Sequence, residues 1–286
     1  MKKKLPTIIL IFIFLIGLSL LLYPSVADYW NTRKINKSIM DYSEVVSDIN
    51  TADYEKMIND AVEYNEKLAS DPNRFNPTEA MTELYNQCLN LNDTGMIGYV
   101  DIPTINEKIP IYHGTTDAVL DGAVGHMEGS SLPVGGLGTH CVISGHRGLP
   151  SARLFTDIDQ LVEGDIFMIN VLDETLTYEV DQILIVEPDE TEALAIDPDQ
   201  DYCTLVTCTP YGINTHRLLV RGHRIPNQSD GTRVTADAFQ IDTMLVASLV
   251  AVPILLILLV ILLVSTRKHS RKKAKKHTHD ETEVYR

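Results

Sequence analysis

Twenty-one consecutive residues, Met244 to Val264, carry no charge. A run of that length spans a bilayer as a helix. Arg267, Lys268, Arg271, Lys272, Lys273, Lys275 and Lys276 follow it directly. The positive-inside rule therefore puts the tail, residues 266–286, in the cytoplasm. The opposite end repeats the pattern, with Lys2, Lys3 and Lys4 preceding a mostly apolar run from Leu5 to Tyr23. This reads as a signal peptide or signal anchor over residues 1–24. Ser25-Val26-Ala27 offers small residues for cleavage, so both forms stay open. The body between the two runs is then extracytoplasmic, and its lipid partner is the cell membrane.

That body is long enough for one core of ordinary size. Residues 24–241 hold 13 Lys and Arg against 35 Asp and Glu, a net of −22. Such a surface repels nucleic acid, so no nucleic-acid partner is expected. The chain has four cysteines: Cys88, Cys141, Cys203 and Cys208. They are too sparse for a disulfide scaffold, which leaves at least one for chemistry.

Residues 25–92 read as helical. Tyr54, Met57, Ala61, Tyr64 and Leu68 form one helix face. Asp71-Pro72 ends that helix. A second helix is expected from Asn76-Pro77-Thr78-Glu79, with Asn76 as its cap. The loop between them covers about residues 68–78. Beyond Gly95 the pattern turns to β. Runs at Met96–Ile102, Ile109–Tyr112, Cys141–Ser144, Ile166–Val171, Leu176–Val180, Ile183–Val186, Thr204–Cys208 and His216–Arg221 are separated by turn residues. Short helical pieces are expected near Thr116–Gly122 and Ser151–Leu161. Eight short strands over residues 93–225 suggest a small barrel or sandwich. Residues 226–242 read as a linker and 243–265 as the membrane helix.

Two of the β-runs close on a turn at Pro210-Tyr211-Gly212-Ile213-Asn214. If the turn centres between Gly212 and Ile213, opposed residues have numbers that sum to 425, and Cys208 faces Arg217. Their Cβ atoms would then lie roughly 5 Å apart. A guanidinium there favours thiolate and can hold an oxyanion. A thiol nucleophile also needs a proton partner. His269, His277 and His279 lie in the basic tail. His146 follows the apolar strand Cys141–Ser144 on a loop, where catalytic groups concentrate. His216, beside Arg217, should point to the other sheet face. Cys88 and Cys141 read as core. Cys203, Cys208, His216 and His223 match no tight zinc spacing. Glu187–Glu192 lacks the glycine and the ligand spacing of a calcium loop. No metal and no cofactor are expected.

Thr204-Leu205-Val206-Thr207-Cys208 resembles the signature of the sortase family, and the run through Arg224 is similar to its class C, pilus-building branch. Ser144-Gly145-His146-Arg147-Gly148-Leu149-Pro150 resembles the family's histidine segment. His126-Met127-Glu128-Gly129-Ser130-Ser131-Leu132-Pro133 is also similar. The resemblance covers about residues 25–265. It implies a mainly β fold: an eight-stranded sortase-type barrel with short helices and an N-terminal helical segment, flanked by two membrane segments. It implies a catalytic set of Cys208, His146 and Arg217. It further implies cleavage of a Leu-Pro-x-Thr-Gly-like signal on a pilin or surface protein, and transfer to a lysine amine of an acceptor pilin. A housekeeping sortase joining proteins to the cell wall is the alternative enzyme. A surface adhesin without catalysis is the non-enzymatic one.

Class C members also carry an Asp-Pro-aromatic lid. The matching segment is Asp71-Pro72-Asn73-Arg74-Phe75. Asn73 stands where the ring is expected, Asp71 can pair with Arg217, and Phe75 is the candidate replacement ring.

Overall fold

The computed structural model describes residues 5–227, 251–261 and 264. It divides into two compact units, the larger spanning Ala27–Ala236. Three helices lead into the barrel. α1 (Leu5–Ser47) is one continuous helix, and it is long and apolar enough to cross a membrane. α2 (Thr51–Ala69) starts at Asn50, whose side chain accepts a hydrogen bond from the Asp53 N–H. α3 (Glu79–Gln87) is capped by Thr78, which accepts from the Met81 N–H. The expected cap at Asn76 is therefore corrected: its backbone N–H closes a turn on the Asn73 carbonyl instead. The helical region expected over 25–92 is broken at residues 48–50, ahead of the expected break at Asp71-Pro72. Of the second apolar run, the described part includes a short apolar helix, Ala251–Ile261. The rest of that run, the linker and the basic tail lie outside the described residues.

The strands are β1 (Met96–Ile102), β2 (Glu107–His113), β3 (Val124–His126), β4 (Thr139–Ser144), β5 (Ile166–Val171), β6 (Glu174–Val186), β7 (Asp201–Thr209) and β8 (His216–Ile225). They close a barrel in the order β1-β2-β3-β4-β7-β8-β6-β5. Two expectations change. Leu176–Val180 and Ile183–Val186 are one strand, because the register shift between Val180 and Gln182 interrupts the alternation without ending the strand. β3 was not expected. It is three residues long and pairs parallel to β2. A helical turn, α4 (Asp117–Leu120), precedes it, as the sequence suggests. The Ser151–Leu161 stretch is mostly turns, with one 3-10 turn at Ile158–Gln160.

Alternation fixes which side chains fill the barrel. Cys141, Ile143, Cys203, Leu205, Leu218 and Val220 face the main core. Val142, Val206 and Leu219 point the other way and join Val186 and Leu194 in a second apolar cluster. α1 reaches the barrel through Tyr42, whose phenol donates to the Ile97 carbonyl (2.9 Å) and accepts from the Leu172 N–H (2.7 Å). α2 is held by Asn65, which brackets Leu132 with two hydrogen bonds of 2.7 and 3.0 Å. The first tie fixes α1 to β1 and the β5–β6 turn, and the second seats α2 on the loop that follows β3.

Candidate active site

β7 and β8 pair with Cys208 directly opposite Arg217. The turn arithmetic expects this register, and it holds although the Thr209–Pro210 peptide is cis. Within the turn, the Pro210 carbonyl accepts from the N–H groups of Ile213 and Asn214. Gly212 and Asn214 take left-handed conformations there, which the two residue types tolerate. Cys208 continues the outward row of Val206, and Arg217 that of Leu219. Both therefore lie on the face carrying the second apolar cluster. Arg217 donates through Nη1 to the carbonyls of Asn214 (3.4 Å) and His216 (3.2 Å).

His146 comes from the neighbouring strand. β4 runs parallel to β7, and the last paired residues are Ser144 and Val206. Two bonds carry the alignment further. The Gly145 N–H donates to the Val206 carbonyl (3.0 Å), and the Thr207 hydroxyl donates to the Gly145 carbonyl (2.7 Å). His146 is thus two residues beyond Ser144, as Cys208 is two beyond Val206. Gly145 has no room for a side chain, since a Cβ there would lie 2.7 Å from both Phe155 Cδ2 and Val124 Cγ1. The chain must pass close to the core at Gly145 for His146 to emerge at the site.

The next residue, Arg147, was not singled out by sequence reasoning. Its Nη1 donates to Thr209 Oγ1 (3.3 Å), its Nη2 bonds the Asp159 carboxylate, and its guanidinium lies 5.8 Å from the Tyr211 ring. It ties the histidine loop to the residue after Cys208 and to the β7–β8 turn. Its place beside His146 in the Ser144–Pro150 segment was the available signal.

The other cysteines sit apart from this chemistry. Cys208 is half-buried, whereas Cys88, Cys141 and Cys203 are buried. Burial pushes the Cys88 thiol up to about 11 and raises that of Cys203 as well, whereas at Cys141 burial is outweighed by hydrogen bonds from Cys203 and His126, which lower it, and that thiol is enclosed in the barrel core. A buried thiol held protonated is a poor nucleophile. Cys203 faces the barrel interior and Cys208 the outside, so the two cannot share one metal ion. His216 is taken up by Glu187, with Nε2 and Oε1 3.3 Å apart. His126 is fully buried, its Nδ1 3.0 Å from the Tyr85 hydroxyl and its Nε2 2.8 Å from the Ser131 carbonyl. The segment from His126 to Pro133 thus forms the support on which the 71–75 loop rests.

That loop departs from the expected lid. Asp71 does not pair with Arg217; its Oδ1 accepts from the Asn73 N–H at 2.8 Å, closing a local turn. Pro72 and Asn73 are exposed. Arg74 holds the loop down, donating from Nη1 to the Gly129 carbonyl and from Nη2 to the Leu194 carbonyl, each at 2.6 Å. Its guanidinium also stacks 4.1 Å from the Phe75 ring centre. Gly129, at φ +88°, meets the Arg74 backbone, and a Cβ there would fall 2.4 Å from the Arg74 carbonyl oxygen. Phe75 packs against the cluster of Val142, Val186, Leu194, Val206 and Leu219. The ring lies on the sheet face that carries Cys208 and Arg217.

A half-buried thiol opposite an arginine, beside a parallel strand whose following loop carries a histidine, sits on a closed eight-stranded barrel. Residues 100–225 match the family model for the sortase domain. Sortase C1 from Streptococcus agalactiae is 52% identical, with a TM-score of 0.65, over 67% of this chain and 100% of that one. The chain belongs to the sortase family. Sortase C from Clostridium perfringens, solved with the C-terminal cell wall sorting motif, is 42% identical with a TM-score of 0.59, over 66% of this chain and 98% of that one. Both of these solved relatives of our sortase are of class C. Sortase D from Bacillus subtilis is 30% identical over 131 residues, 45% of this chain. The match spans 63% of the length of that curated relative.

Proposed function

We propose that this sortase is a membrane-anchored cysteine transpeptidase that joins pilin subunits. The observation that carries the reading is the register that sets Cys208 opposite Arg217, beside the strand β4 that leads into the His146 loop. The Cys208 thiolate attacks the threonine carbonyl of a Leu-Pro-x-Thr-Gly-like sorting signal. Arg217 stabilises the oxyanion that forms. His146 then protonates the departing glycine amine as the carbon–nitrogen bond breaks, leaving a thioester on Cys208. A lysine amine of the acceptor attacks that thioester. It gives up a proton to His146, the carbon–sulfur bond breaks, and an isopeptide bond remains. Similarity to a sortase solved with the C-terminal cell wall sorting motif supports the signal.

Class C similarity favours pilin joining over wall attachment. The anchor reading rests on α1, with the body outside the cell and the basic tail inside. The two enzyme readings separate by acceptor. Thioacyl protein should be resolved by a folded lysine-bearing pilin much faster than by wall-type amino peptides, and the reverse preference would assign the enzyme to wall attachment. A surface adhesin would form no thioacyl protein.

A further inference from the structure

β6 outruns its neighbour. Its pairing with β5 ends at Glu179, opposite Ile166, and Val180 bonds Gly164 and Asp165. From Gln182 to Val186 the strand is paired only with β8 among the described residues. Among the described residues its other edge has no strand beside it. No charge lies between Asp181 and Glu187, and Ile183 and Ile185 are 36% and 64% exposed. Leu184 and Val186 turn to the opposite face and pack with the Phe75 cluster. Proteins cover, bulge or charge such edges to prevent stray pairing; the bulge and the charge at Asp181 stand at the start of this edge, and Gln182–Val186 beyond them has neither. It also leads to the site, because Val186 stands opposite Arg217. Directly after it come Glu187, Asp189, Glu190 and Glu192, all exposed.

We propose that the free edge of β6, Gln182–Val186, is the docking surface for the acceptor protein and takes an extended, lysine-rich segment as an added strand. This rests on the transpeptidase reading, in which the second substrate carries an amine. Main-chain hydrogen bonds along the open edge would supply affinity, and alternate apolar side chains over Ile183 and Ile185 would fix the register. The acidic run selects a basic segment. It disfavours a second copy of this chain, which would bring the same carboxylates to the same place.

The geometry also says which lysine reacts. Strands lie roughly 4.8 Å apart, so an added strand is three spacings, about 14 Å, from β7 and Cys208. That exceeds an extended lysine side chain. The reacting lysine belongs to the segment flanking the docked strand, past the Val186 end.

Hydrogen exchange tests this on the full chain carrying Cys208→Ala, in detergent micelles. The probe is acetyl-Lys-Val-Thr-Val-Lys-Val-amide; its control replaces both lysines with glutamate. At ten times its Kd, the lysine peptide should slow exchange of the edge-facing amides within residues 182–186 by about tenfold. Ile183→Thr with Ile185→Thr keeps the strand preference but removes apolar surface, and should weaken peptide binding by about tenfold. Absent protection, protection elsewhere, equal protection by the glutamate peptide, or unchanged binding by the double variant would each overturn the proposal. Protection that rises with protein concentration alone would give the edge to a second copy and overturn it too. The thiol is absent, so these outcomes do not depend on the transpeptidase reading, which acyl-adduct formation by the unmodified chain reports separately.

Discussion

Cys208 and Arg217 are directly opposed across the β7–β8 hairpin, on the barrel face whose apolar patch Phe75 covers. If Arg217 holds the oxyanion, losing it should cost what a single oxyanion donor costs. Arg217→Ala is expected to slow acylation by about 100- to 1000-fold, measured as thioacyl protein against time by intact mass. Arg217→Lys should recover part of the rate. Among the described residues the side chain bonds nearby turn carbonyls only, so the melting temperature should barely move.

Arg74 closes the loop over the apolar patch. Arg74→Gln removes a charged donor from two carbonyls, a loss of about 1–3 kcal/mol in local closure. Alkylation of Cys208 by iodoacetamide should then accelerate by roughly tenfold. The other three cysteines are buried and should react slowly in both proteins, so mapping the modified peptide isolates the effect. An unchanged rate would mean that the loop does not guard the thiol.

Much of this site was legible in the sequence, and the misses have physical causes. The Cys208–Arg217 register follows once the turn is taken to centre between Gly212 and Ile213, because a hairpin with a fixed centre fixes every opposed pair. β6 reads as two strands because the bulge at Asp181 breaks the alternation on which strand reading depends. β3 has three residues and too little pattern to register. Asp71 reads as a partner for Arg217 only by family likeness. Asp71 instead accepts from the Asn73 N–H, and Arg74 bonds two carbonyls, Gly129 and Leu194, that no local pattern could place beside it.

Gly145 sets the path of the chain into His146. Gly145→Ala places a methyl against Phe155 and Val124, with overpacking costing about 1–3 kcal/mol. Thermal denaturation should show that loss. Turnover should fall further than the unfolded fraction explains, because the histidine loop is displaced from Cys208.

Acid should destabilise the fold in a defined window. Burial lowers His140 and His113 from 6.5 to about 4. Between those values the unfolded chain binds protons that the native chain does not. Stability therefore falls as pH drops from 6.5 to about 4, by up to a few kcal/mol. Glu107 acts in the opposite sense: burial raises it to about 7, so its own contribution improves as pH falls from 7 to 4.5. Urea unfolding of His140→Gln across this range should show a shallower acid loss than the unmodified protein.

The central claim is that Cys208 is the nucleophile. The direct measurement is intact mass of the full chain after incubation with a Leu-Pro-x-Thr-Gly peptide, followed by peptide mapping. A thioacyl adduct on Cys208 that is absent in Cys208→Ala is the predicted result. An adduct that persists in Cys208→Ala, or that maps to another residue, would contradict it.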